Sequence, residues 1–168
     1  ASYAEFLSLF EAHLAASPYL LGGAPTLGDY GLIAPLFAHL ARDPYPAQLM
    51  KRTAFRVWRW VERMNAPDQD AGEYGAPRES LFADDAGPET RKALLRFVAE
   101  DYLPEVEAYA AFADAWLAER PDMAPGSNGL PRPQDRAIGQ VSFDWRGVRI
   151  TAAVMPYRLY LLQKVQDV

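Results

Sequence analysis

The chain has 168 residues, 50% of them hydrophobic, 12% aromatic and 23% charged, which excludes a disordered chain and is enough for one domain with a real core. A formal net charge of -5 and a pI near 5.0 disfavour nucleic acid as a partner, because phosphate neutralisation needs a basic face and the Lys and Arg here are scattered among acids. With no cysteine and only His13 and His39 as histidines, no disulfide framework, thiol nucleophile or thiolate metal site is expected, and no bound metal.

Residues 2–16 set Phe6, Leu7, Leu9, Phe10, Leu14 and Ala15 on a wide face with Glu5, Ser8 and Glu11 elsewhere, an amphipathic helix. "SPYLLGGAP" follows, a loop by its Pro18, Gly22, Gly23 and Pro25, with an apolar centre that tucks under the next helix. Thr26 then stands where an N-cap belongs, and Asp29 three residues on completes a capping box at the positive end of the helix dipole. Leu27, Tyr30, Leu32, Ile33, Leu36, Phe37 and Leu40 fall on nearly all sides, the pattern of a helix buried in the middle of a bundle. Pro35 inside it removes one hydrogen bond and predicts a kink. The start of a buried helix needs side-chain partners because water cannot reach its free N–H groups.

"RDPYP" at 42–46 ends that helix, and one further helix is expected from Ala47 to Met64. Its apolar stripe is Met50, Ala54, Val57, Val61 and Met64, widened by Phe55, Trp58 and Trp60, with Lys51, Arg52, Arg56, Arg59 and Arg63 on the other side. Residues 65–87 read as a long loop in which "ESLF" is the structured piece. Residues 88–119 are the longest periodic segment, stepping through Leu95, Val98, Tyr102, Val106, Tyr109, Ala113 and Trp116, with Pro88 in the first turn and Pro104 expected to bend or split it. After a Pro/Gly-rich connector the period changes to two. Val141, Phe143 and Trp145, then Val148, Ile150 and Ala152, alternate with polar residues around Arg146-Gly147, a β-hairpin. "MPYRLYLLQKVQDV" closes the chain as a short amphipathic helix on Leu159, Leu162 and Val165. The expected architecture is mainly α with a small β-hairpin near the C-terminus. It forms a single domain over 1–168, made of a helical bundle at 1–120, a connector at 121–137 and the hairpin with its terminal helix at 138–168.

The run "SPYLLGGAPTLGDYGLIAPLFAHL" resembles the C-terminal helical domain of the glutathione transferase superfamily. Tyr19, Leu20, Leu21, Gly22, Thr26 and Asp29 match its loop and cap position by position, with Gly28 where Ala is commoner. The resemblance covers residues 1 to about 65 and, loosely, 88–119. It implies a bundle of that type and a structural, not chemical, role for Thr26 and Asp29. It also implies a partner domain, because the family begins with a thioredoxin-like domain that binds glutathione and carries the Ser, Tyr or Cys that activates its thiol. Glutathione would then be the co-substrate of a longer parent, with no cofactor bound by this chain alone, and a homodimer is one partnership the family allows. The chain opens on Ala rather than Met, from which removal of an upstream part is expected. The hairpin tail is not a general family feature.

Several residues have two readings. Tyr3, Phe6 and Phe10 suit either the apolar wall of a substrate pocket or plain core. Arg52, Arg56, Arg59 and Arg63 share one helix face, as an anion site or as a solvated face. Tyr157 and Arg158 sit where a tail would fold over a pocket, or where an arginine pairs with a carboxylate. His13 and His39 read as hydrogen-bonded helix-face residues, and no catalytic residue stands out. No P-loop, dinucleotide fingerprint, zinc spacing or nucleophile elbow is present. Neither a signal peptide nor a run of roughly 18 apolar residues appears, so the expected location is the cytoplasm, with no membrane partner. The function these readings support is the hydrophobic co-substrate side of a glutathione-transferase-like protein lacking its glutathione-binding domain. The alternative is a non-catalytic interaction or dimerisation module of the same fold.

Overall fold

In a computed structural model of the chain, the described residues are 2–66, 71–75, 81–83, 86–124, 126, 130–132 and 134–167. They form two compact units, Ala1–Phe97 and Val98–Val168. The division falls inside a helix and not at the Pro/Gly connector. Among the described residues no helix is long and apolar enough to cross a membrane. The mainly α architecture with one hairpin is the one read from the sequence.

The first unit begins with helix α1, Ser2–His13, whose Leu7, Phe10 and Leu14 lie at the three- and four-residue steps of one face and are fully buried. They meet Met50, Ala54, Val57, Trp60 and Val61, all at the core. The Phe10 and Trp60 rings meet edge to face, 5.0 Å between centroids, a geometry that adds to their area burial. Helix α2, Leu27–Pro35, passes without a break into a π-helical turn, Leu36–Leu40, closed by the Ala41 N–H on the Leu36 carbonyl at 2.7 Å. Pro35 has no N–H to continue the regular ladder, and the wider turn after it absorbs the mismatch.

Two expectations for this unit need correcting. Helix α2 is not buried all round: Leu32, Ile33 and Leu36 pack on the core, whereas Leu27 is 81% and Tyr30 58% exposed. An all-apolar helix does not announce which of its sides lacks a neighbour in the chain at hand. The helix expected over 47–64 is two helices, α3 at Pro44–Thr53 and α4 at Phe55–Met64, broken at Ala54 with φ −146 and ψ 64. The Thr53 hydroxyl donates to the Leu49 carbonyl at 2.8 Å, a side-chain bond that competes with regular helix. The new helix start is capped from a distance. Glu11 Oε2 of α1 accepts the Arg56 N–H at 2.8 Å and the Val57 N–H at 3.2 Å, while its Oε1 accepts from the Arg56 guanidinium at 2.8 Å. A carboxylate there satisfies two otherwise free donors and meets the positive end of the helix dipole.

Among the described residues of 65–87 are a 3₁₀ turn, Gly72–Tyr74, and Leu81, bridged to Gly22. Of "ESLF", Glu79 and Ser80 lie outside the described residues. Helix α5, Glu89–Ala118, runs unbroken for 30 residues through Pro104, so the expected split does not occur. The carbonyl that loses its donor belongs to exposed Glu100, where solvent replaces the bond.

In the second unit, strands β1, Gly139–Trp145, and β2, Val148–Val154, pair antiparallel from Gly139↔Val154 to Trp145↔Val148. Arg146 at φ 48 and Gly147 at φ 78 form the two-residue turn; both central residues of this hairpin turn are left-handed, which glycine adopts freely. Val141, Phe143 and Trp145 are half-buried and alternate with exposed Ser142 and Asp144, as the period of two predicts. Gly139 is needed for space, since a Cβ there would come within 2.2 Å of Phe112 Cζ on α5. Helix α6, Pro156–Gln166, half-buries Leu159 and Leu162, but the third position of its expected stripe, Val165, is 68% exposed.

Candidate functional site

The segment that stood out in the sequence, Ser17–Asp29, is held by three polar side chains that are themselves buried. Asp29 has no exposed surface. Its Oδ2 accepts from the Thr26 N–H and the Thr26 hydroxyl, each at 2.9 Å, and its Oδ1 accepts from the Leu20 N–H at 3.0 Å. The cap of α2 therefore also clamps the loop before it.

His13, likewise fully buried, is the second clamp. Its Nε2 lies 3.0 Å from the Tyr19 carbonyl and its Nδ1 3.1 Å from the Thr90 hydroxyl. A carbonyl only accepts, so Nε2 carries the proton and Nδ1 receives one from Thr90. Burial is the largest influence on this ring and holds its pKa below the usual histidine value, against the opposing effects of the Tyr19 hydrogen bond and the Asp29 charge. The unfolded chain therefore binds the histidine proton more readily than the folded one. Stability from this group is fully present above about pH 6.5 and declines as the pH falls below it. We expect acid titration from pH 7.5 to 5.5 to lower the urea midpoint of the wild type and to leave that of His13→Gln flat by comparison; parallel curves would remove the assignment.

Arg63 is the third. Its side chain is 3% exposed and donates to the Pro18 carbonyl at 2.8 Å and to Glu73 Oε1 at 3.0 Å. The guanidinium also lies over the Tyr19 and Tyr74 rings, 5.3 and 5.4 Å from their centroids. Tyr74 in turn donates to the Leu14 carbonyl at 2.6 Å. This residue was read as one of a solvated arginine row. The signal that marks it out is its position three residues after Trp60, on the widened apolar face.

The aromatic candidates of α1 lie beside this core. Phe10 is fully enclosed; Phe6 is half-buried, 5.7 Å from the Phe10 ring and 6.2 Å from Phe97. Tyr3 donates to the Pro46 carbonyl at 3.2 Å, and burial raises its pKa. Burial likewise raises Tyr19, Tyr74 and Tyr109, the direction opposite to that of an activated hydroxyl. Among the described residues no group of three or more His, Asp or Glu side chains is placed to hold a metal ion.

A family model described as the glutathione S-transferase C-terminal domain matches residues 1–63. The similarity covers the first 63 residues of the 168. No curated protein and no solved structure matches the chain. The matched residues span α1 to α3 and all but the last residue of α4, with the capped loop and Tyr3, Phe6 and Phe10.

Of the arginine row, Arg56 pairs with Glu11, Arg59 lies 3.6 Å from Glu73, and Arg52 is exposed. His39 is exposed. Tyr157 and Arg158 lie beyond the matched residues, in the second unit. Tyr157 is 67% exposed, and Arg158 donates to Glu105 at 2.8 Å and lies 3.4 Å from the Tyr109 hydroxyl.

Proposed function

We propose that the first unit is the helical, hydrophobic co-substrate side of a glutathione-S-transferase-like protein whose thioredoxin-like, glutathione-binding domain lies outside these 168 residues. The family model matched is that of a C-terminal domain, which supports a preceding partner. The observation that carries the reading is the open side of α2. Leu27 and Tyr30, one helical turn apart, are exposed at 81% and 58% beside the fully buried Asp29 of the capping box. A helix start this firmly anchored presents its apolar side to something, and the partner domain is the occupant we assign. In such a protein the partner binds glutathione and lowers the pKa of its thiol, while this unit supplies the apolar wall, with Tyr3 and Phe6 toward a hydrophobic electrophile. A cytoplasmic location belongs to the same proposal, consistent with a cysteine-free composition.

Thiol activation needs a base or a positive field beside the sulfur, and Asp29, His13 and Arg63 are buried and bonded to the chain's own backbone and side chains. The 168-residue chain, mixed with glutathione and a chlorodinitrobenzene electrophile, is therefore expected to give no rate above buffer. A saturable conjugation rate would show that it activates the thiol itself and would overturn this division of labour. The second reading, a module that dimerises without chemistry, rests on the same open side of α2. It predicts a dimer in sedimentation that Tyr30→Glu dissociates, and a monomer at high concentration removes it.

A further inference from the structure

The second unit contains a cleft of about 750 Å³, the size of a small-molecule site, and none of the roles discussed so far uses it. Its walls are Ala113, Trp116 and Leu117 on the second half of α5, Leu159 and Leu162 on α6, and Ile138 ahead of β1. The polar groups that reach it are few. Asp114 is the one charged residue among the described lining, joined by the Tyr160 hydroxyl and the amides of Gln163 and Gln166.

Two observations fix the sign of the charge such a site accepts. Asp114 makes no ion pair or hydrogen bond with the described residues, whereas Asp101, Glu105 and Asp144 in the same unit each hold an arginine. The two cations attached to the lining aromatics are turned onto ring faces and do not line the cleft. Arg120 lies 4.2 Å from the Trp116 centroid, with its guanidinium also on Glu119 and the Trp116 carbonyl, and Lys164 lies 5.5 Å from the Tyr160 centroid. The cleft is thus mainly apolar, and its one charged lining residue, the exposed Asp114, is paired with no described cation, so an organic cation is drawn to it by charge.

We propose that this cleft binds an organic cation with a mainly apolar body, its ammonium at Asp114 and its body between Leu117, Leu159 and Leu162. The probe is naphthylbutylamine, titrated calorimetrically at pH 7 into the 168-residue chain beside the alcohol and the carboxylic acid of the same skeleton. The ammonium is expected to bind best, the acid weakest, and Asp114→Asn to cost the ammonium about fivefold while leaving the alcohol unchanged. Leu117→Arg, at a half-exposed position that tolerates a long side chain, is expected to weaken the alcohol about tenfold by taking the place of its apolar body, and the ammonium more, because it adds a positive charge beside Asp114. Far-ultraviolet circular dichroism of both variants should match the wild type. Equal affinity for the three probes, or an ammonium affinity unchanged by Asp114→Asn, overturns the cation assignment. Binding insensitive to Leu117→Arg, or no binding by any probe at millimolar concentration, overturns the site.

Discussion

Asp29→Ala is expected to lower the unfolding free energy by about 3 kcal/mol, because three part-buried donors lose their acceptor at once and each costs about 1 kcal/mol. The Thr26 N–H, the Thr26 hydroxyl and the Leu20 N–H all converge on this one carboxylate, which has no exposed surface. Asp29→Asn keeps an acceptor for one of the two oxygens' partners and is expected to cost about half as much. Urea denaturation of the 168-residue chain and the two variants measures both. Thr26→Ala provides the internal scale: it removes one hydroxyl and leaves the two N–H bonds, a loss of about 1 kcal/mol. An Asp29→Ala loss no larger than that of Thr26→Ala would mean that water reaches these donors and that the loop is not clamped.

Glu11→Ala comes second, with an expected loss of about 2 kcal/mol. Two backbone N–H groups at the start of α4 bond to its Oε2, and only the third contact, to the Arg56 guanidinium, is a surface ion pair. The Arg56 side chain is 54% exposed, so Arg56→Ala removes less than about 1 kcal/mol. The contrast between the two single variants separates a helix cap from a salt bridge. If Arg56→Ala costs as much as Glu11→Ala, the ion pair carries the effect and the cap does not.

What the sequence displayed and what it hid divide along the range of the interactions. The Thr26–Asp29 box and the Arg146-Gly147 turn are set by residues three or fewer apart, so spacing and turn chemistry were sufficient to place them. The break at Ala54 escaped because the periodicity of Met50, Ala54, Val57 and Val61 continues through it. What stabilises the second helix start is Glu11, 45 residues away from Arg56. Arg63 and His13 were legible as polar residues near apolar ones, but their partners, Pro18, Glu73, Tyr19 and Thr90, come from loops and from a helix that only the fold brings together. The open side of α2 was unreadable for the opposite reason: an all-apolar helix looks the same whether its neighbour belongs to this chain or to another. Spacing put Tyr3, Phe6 and Phe10 on one helix face, but the enclosure of Phe10 and the half-burial of Phe6 depend on Trp60 and Phe97.

In the function proposed above, the first unit is one side of a two-domain, glutathione-S-transferase-like protein. The direct measurement is the intact mass of the native polypeptide, captured from its source with an antibody to this chain and read by mass spectrometry. A mass well above 18.7 kDa, with peptides from a thioredoxin-like segment ahead of Ala1, is the predicted result. A native mass of 18.7 kDa would contradict it and leave these helices to work without the partner that the open side of α2 has been assigned.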